Sequence, residues 1–323
     1  MKAALPAIAL VLGTVGVAVA ETADSPEALF WLKKMSNASR QINYTGSFVY
    51  QHAHGVETSR ITHVVDVGGE YEKLETLDGP AREVIRNNDN VTCYLPDIKT
   101  VIVEKRKIRL FPVLLPERLP GILDNYEASM GGKDRVAGFE CQVIKLEPRD
   151  NLRYGHKFCA ETASGLPLRA RTYNEVNEMI ESIAFTQVRI GGNLSRRSLR
   201  SRYAAESRNW RVERAAPGEA HGVAETGWEL KSRPAGFKKL TEMRRSFAGR
   251  PEPVAQIVYS DGLAAVSVFI EPLTGARTNP GLSHRGAINI YSRRYADRMI
   301  TVLGETPAAT VMLIGNSITF KGK

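Results

Sequence analysis

The chain has 323 residues, 43% of them hydrophobic and 24% charged, and a formal net charge of +9. That balance excludes wholesale disorder, and at about 100–200 residues per domain the length makes two domains the default. The positive charge favours anionic partners, among acidic protein segments, phosphate-bearing lipid surfaces and nucleic acid.

Met1-Lys2 is a short cationic start, Ala3 through Val19 carries no charge, and Ala18-Val19-Ala20 presents a small-x-small cleavage pattern before Glu21. Residues 1–20 therefore read as a cleaved signal peptide. A retained anchor is the weaker reading, because the run barely reaches the ~18–20 residues a spanning helix needs. Pro6, Gly13 and Gly16 weaken it further. The expected product is exported, soluble and unanchored, which leaves nucleic acid the least expected partner.

Ser25 can cap a helix opening at Pro26, with Leu29, Leu32, Met35 and Ile42 recurring at near-helical spacing. From Tyr44 the period changes to two. Tyr44–His52, Thr58–Val67, Tyr71–Leu77, Arg82–Arg86, Val91–Leu95 and Thr100–Lys105 read as short strands joined by tight turns. Further strands follow at Phe139–Leu146, Tyr154–Ala160, Leu168–Tyr173 and Met179–Arg189. So many short strands argue for a large antiparallel sheet, curved or barrel-like, over residues 21–193.

An apolar segment broken by three prolines, Leu110 to Leu123, interrupts that series. Phe111, Val113, Leu114, Leu115, Leu119 and Ile122 are the candidates for covering an acyl ligand on the sheet, with completion of the core as the competing role. Residues 194–225 then form an Arg-rich stretch, expected as a solvated linker. A smaller C-terminal module spans 226–323. Gln256–Tyr259, Leu263–Ile270, Ala287–Tyr291 and Met299–Leu303 are strand-like there, and an amphipathic helix follows Pro307.

Cys93, Cys141 and Cys159 form an odd set for an oxidising compartment. Folding the segments around Cys141 and Cys159 into a hairpin brings them roughly opposite. A cross-strand disulfide and two buried thiols both stay open. The wide spacing, with no His at ligand distance, argues against zinc. His52 and His54 could share a strand face, but their expected neighbours supply no third ligand, so no metal site is assigned. The chain carries no nucleophile elbow, Ser-x-x-Lys pair, His-Glu-x-x-His helix, phosphate loop or Cys-x-x-Cys. No catalytic residue or cofactor is expected.

Four stretches carry a family resemblance. They are Leu77-Asp78-Gly79-Pro80-Ala81-Arg82-Glu83-Val84, Trp228-Glu229-Leu230 with Arg233-Pro234-Ala235-Gly236-Phe237, Tyr259-Ser260-Asp261-Gly262-Leu263, and Ile300-Thr301-Val302-Leu303-Gly304-Glu305-Thr306-Pro307. Jointly, and in this order, they resemble the MucB/RseB proteins, periplasmic regulators of the sigma-E-type envelope stress response. The resemblance implies an α+β chain: an N-terminal LolA/LolB-like half-open antiparallel β-barrel with helices, plus a smaller C-terminal α+β domain. It also implies binding of the periplasmic segment of a membrane-spanning anti-sigma factor of the RseA or MucA type. That binding shields the segment from regulated proteolysis, and lipopolysaccharide or another acyl lipid opposes it. Trp228, Arg233, Phe237, Tyr259 and Leu263 are the candidates for the partner surface, with a core role competing for the aromatics. Homo-oligomer formation stays open. The alternative reading is a soluble periplasmic lipid or lipoprotein carrier.

Overall fold

The computed structural model describes residues 25–53, 55–105, 111, 115, 119–214, 225–245, 252–273 and 280–321. The expected leader and the candidates Val113 and Leu114 lie outside the described residues.

Helix α1 (Pro26–Gln41) starts where Ser25 Oγ accepts from Ala28 N at 3.4 Å, and Pro26 supplies its first turn. Ala28, Leu32 and Met35 form its buried stripe. Eleven strands and a short helix follow before the basic stretch. They are β1 (Tyr44–His52), β2 (Gly55–Asp66), β3 (Gly69–Thr76), β4 (Glu83–Asn87), β5 (Asn90–Leu95), β6 (Thr100–Lys105), α2 (Pro120–Leu123), β7 (Tyr126–Val136), β8 (Phe139–Pro148), β9 (Gly155–Glu161), β10 (Pro167–Tyr173) and β11 (Met179–Ile190). With β12 (Arg211–Arg214) they make one sheet in the order β12-β6-β5-β4-β3-β2-β1-β11-β10-β9-β8-β7. Every neighbour pair is antiparallel except β12 with β6. Among the described residues the edges β12 and β7 do not pair, so the barrel is half-open.

Consecutive hairpins generate most of this order, and pairing of β1 with β11 joins the two halves. One core lies between α1 and β7–β9, where Leu32 and Met35 meet Tyr126, Ile144, Leu146 and Phe158. A second gathers Tyr44, Phe48, Ile61, Leu74, Phe111 and Phe185. Burying each such side chain contributes roughly 1.5–3 kcal/mol, which offsets the ordering of so many short strands. Within the second core Cys141 and Cys159 are disulfide-bonded, Cα to Cα 5.4 Å, across β8 and β9.

The Arg-rich stretch departs from the linker expectation. Through Arg214 it is laid against the first sheet. Leu199 is buried with Val64 and Tyr71, and Lys73 donates to Arg200 O at 3.1 Å. Glu83, itself buried, accepts from Ser201 at 2.6 Å and pairs with Lys73 at 3.3 Å and Arg202 at 3.2 Å. Buried Glu83 on β4 and Lys73 on β3 thus hold this stretch against the sheet, a match invisible to local composition.

The C-terminal domain has β13 (Trp228–Leu230), β14 (Lys238–Arg245), β15 (Val254–Ser260), β16 (Ala265–Pro272), β17 (Gly281–Arg285), β18 (Ile288–Tyr295), β19 (Arg298–Gly304), α3 (Ala308–Ser317) and β20 (Ile318–Phe320). Six of these strands form a sheet in the order β14-β15-β16-β19-β18-β17, while β13 pairs with β20. Helix α3 packs Val311 and Ile314 against Ile257, Val266, Val268, Ile300 and Val302.

Candidate functional site: the seam between the domains

Strand register builds the inner face of the first sheet. Tyr50 pairs with Ile183, Ile183 with Ala170, Ala170 with Phe158, and Phe158 with Ile144. Directly paired residues share a face, so this apolar row runs across five strands. The next row on that face is polar: Glu181, Thr172 and His156, ending at Leu146. The C-terminal domain meets it there. Leu263, from the β15–β16 turn, packs against the core beneath α1. Glu305, just after β19, joins His156, Phe158, Ala170, Thr172, Glu181, Ile183 and Leu263 around a cavity of about 100 Å³.

Glu181 accepts from Tyr50 Oη at 2.8 Å and Thr172 Oγ1 at 3.1 Å. Its charge and the low-dielectric surroundings push the Tyr50 phenol well above the usual tyrosine range, burial being the larger cause. Glu305 is exposed to solvent and also lines the cavity. Desolvation, then the charge of Glu181, push its pKa up to about 7. Burial pushes His156 down to about 4, partly opposed by Asp261, so its imidazole is neutral at neutral pH.

Beside this cavity one arginine ties the domains together. Arg153, between β8 and β9, is 1% exposed. It donates to Asp261 Oδ2 at 2.8 Å, to Asn125 Oδ1 at 3.3 Å, to Asp150 at 3.1 Å and to the carbonyl of Ala235. Its guanidinium also sits 5.8 Å from the Tyr126 ring centroid and 5.3 Å from that of Phe237. Asp261 is held in turn by the backbone N–H groups of Leu263 at 2.9 Å and Ala264 at 2.8 Å. Two further bonds cross the seam, Thr310 Oγ1 to Leu152 O at 2.6 Å and Asn289 Nδ2 to Tyr154 Oη at 2.9 Å. A planar fork with five donors suits this task, because a lysine could not reach four acceptors in fixed directions.

Of the residues expected at the lipid cover, the four described ones are packed in or against the cores. Phe111 joins the second core, and Leu115 and Ile122 join the one beneath α1, with Leu119 half-buried against it. Of the partner-surface candidates, Phe237 and Tyr259 are 1% and 4% exposed in the C-terminal core. Trp228 belongs to that core as well, stacked edge-on to Tyr295 and Phe320. These three rings border a larger cavity of about 370 Å³, reached past Arg244 and Arg298. Arg233 is exposed, and Leu263 lies at the seam. The five therefore do not form one surface. Sequence reasoning missed Arg153, Glu181, Glu305 and His156 as site residues. The one available signal was an arginine between apolar Leu152 and Tyr154.

A half-open sheet domain whose inner face is met by a smaller domain, through an arginine hub and a cavity of mixed polar and apolar lining, defines a two-domain binding protein. Residues 27–203 match the MucB/RseB N-terminal domain and residues 222–319 the MucB/RseB C-terminal domain. The chain belongs to the MucB/RseB family. It is 32% identical over 317 residues to the sigma factor AlgU regulatory protein MucB of Pseudomonas aeruginosa, covering 96% of this chain and 95% of that protein. It is 26% identical to the sigma-E factor regulatory protein RseB of Escherichia coli K12, covering 99% of both chains. A crystal structure of MucB in complex with MucA(peri) superposes with a TM-score of 0.74 at 30% identity, over 92% of this chain and 100% of that one. These relatives are regulatory proteins by name. Among the described residues, no helix is long and apolar enough to cross a membrane.

Proposed function

We propose that this chain is a periplasmic negative regulator. It binds the periplasmic segment of a membrane-spanning anti-sigma factor of the MucA or RseA type, shields it from regulated proteolysis, and is released by lipid or lipopolysaccharide. The observation that carries this reading is the match over both domains to MucB solved with MucA(peri). The role is binding, not catalysis.

The seam supports the reading physically. Two domains joined by a few polar bonds and one apolar plug can shift relative to each other when a ligand favours one arrangement. Within this proposal Arg233 is the accessible member of the partner-surface candidates, Trp228, Phe237 and Tyr259 support the C-terminal domain from its core, and Leu263 acts at the seam. Phe111, Leu115, Leu119 and Ile122 are packed inward, so an acyl chain entering there must displace these side chains. Reversing a 1:99 equilibrium takes about 5.5 kcal/mol, which fewer than about ten buried methylenes supply at ~0.8 kcal/mol each.

The test is protease protection. Full-length protein should slow cleavage of the anti-sigma periplasmic segment by its site-specific protease, and lipopolysaccharide should restore the rate. Cleavage that proceeds equally with and without the protein refutes the reading.

A further inference from the structure

The edge of the first sheet at β12 is strongly basic. Residues 194–214 hold seven arginines against two glutamates. Arg196 is spent on Asp66 and on the Tyr71 ring, and Arg202 on Glu83. Glu213 is taken up by Arg211 at 3.0 Å. Arg197, Arg200, Arg208 and Arg214 are exposed and have no ion pair among the described residues.

Apolar groups stand among these cations. Trp210 has an extended backbone leading into β12, so Trp210, Val212 and Arg214 share one strand face. Trp210 is half-buried against Tyr203, ring centroids 5.6 Å apart, while Val212 is 52% exposed. Arg211 N donates to Lys99 O at 3.0 Å, which brings the adjoining turn alongside, and its Ile98 is 67% exposed. Exposed aliphatic side chains, an aromatic pair and nearby exposed arginines are the combination that settles at the headgroup level of a bilayer. An acidic protein segment would use the charges and leave Ile98 and Val212 bare. β12 and β7 are opposite ends of the strand order, and the second domain is anchored beside β7–β9, so this edge leaves the seam accessible.

We propose that the Ile98 turn and the Arg208–Arg214 edge dock this protein on a bilayer carrying anionic phospholipid. The contact is separate from partner binding at the seam and holds whether or not the anti-sigma reading stands.

The experiment is co-sedimentation of the full chain with vesicles of phosphatidylglycerol and phosphatidylethanolamine, and with vesicles of phosphatidylcholine alone. The protein should pellet with the first, stay largely in solution with the second, and be released by salt. Each arginine neutralised in Arg208→Gln and Arg214→Gln should weaken partitioning roughly five-fold. Val212→Ser, at an exposed position where folding is not at stake, should weaken binding to anionic vesicles and leave protease protection unchanged. Equal binding to both vesicle types, variants that bind like the parent, or capture by lipopolysaccharide micelles without any vesicle binding would each overturn the proposal.

Discussion

Arg153 and Asp261 belong to different domains, yet their side chains meet at 2.8 Å with 0% and 1% of their surface exposed. The two family stretches around Ala235 and Asp261 converge on this one guanidinium. Their shared order along the chain is therefore a record of how the domains are joined.

Arg153→Ala should destabilise the protein by about 3–5 kcal/mol, because it leaves the Asp261 carboxylate buried beside two N–H donors and no cation. Asp261→Asn should cost less, and the double variant should lose clearly less than the two single losses together. Urea unfolding followed by near-UV circular dichroism reads all three. Unchanged midpoints for Arg153→Ala would mean that the domains are held by the apolar contact at Leu263 and the Thr310 and Asn289 bonds, without the arginine.

The Cys141–Cys159 disulfide closes a sequence separation of 18 residues. Its removal as Cys141→Ala with Cys159→Ala should cost about 3 kcal/mol, chiefly by freeing the unfolded chain. Both sulfurs lie in the core, so reductant added to the folded protein should leave the bond intact until unfolding begins. A thiol titration of native and denatured samples separates these states. Rapid reduction of the native protein would contradict the burial.

Hydrophobic alternation made the hairpins from Tyr44 to Lys105 and from Phe139 to Ile190 legible, since each strand has one face in a core. β7 was not legible. Gly131-Gly132 and a register shift between Met130 and Lys133 break its alternation. β17 was lost for the opposite reason: all five of its residues are exposed, so no burial pattern exists to read. The segment before β12 is held by Glu83 and Lys73, and β12 itself by β6, partners more than a hundred positions away, which local composition cannot reveal. The seam failed similarly, because Arg153, Glu181 and Glu305 acquire meaning only when two distant turns meet. The family stretches marked that place without saying what they do there.

The cavity at the seam should make stability depend on pH in two opposing ways. Glu305, raised from 4.5 to about 7, binds its proton more tightly in the folded protein. Its contribution is therefore present at low pH and lost as pH rises through that window. His156, lowered from 6.5 to about 4, does the reverse, and its contribution is lost as pH falls from 6.5 towards 4. The two windows overlap and oppose each other, so Glu305→Gln should remove the decline towards pH 7 and leave the rise set by His156 unopposed below pH 6.5. Denaturant midpoints taken from about pH 4 to pH 8 read both limbs. A variant with the parent profile would show that the Glu181–Glu305 pair is not felt.

Gly236 offers the sharpest test of how closely the domains approach. Its φ is +78°, and a Cβ there would lie 2.2 Å from Asn125 Nδ2, a side chain that also accepts from Arg153. Gly236→Ala should thus incur both the left-handed backbone cost of about 1–2 kcal/mol and a displacement of Asn125 from the arginine. Gly79 provides the control: its φ is +70°, but nothing lies within 4 Å of its would-be Cβ, so Gly79→Ala should show the backbone cost alone. The difference between the two variants isolates the crowding at the seam. Adding Asn125→Ala to Gly236→Ala removes the clash together with one acceptor of Arg153. It should recover part of that difference, and only part, because the guanidinium then has an unfilled direction. Equal losses for Gly236→Ala and Gly79→Ala would place the domains farther apart than the Arg153 hub requires.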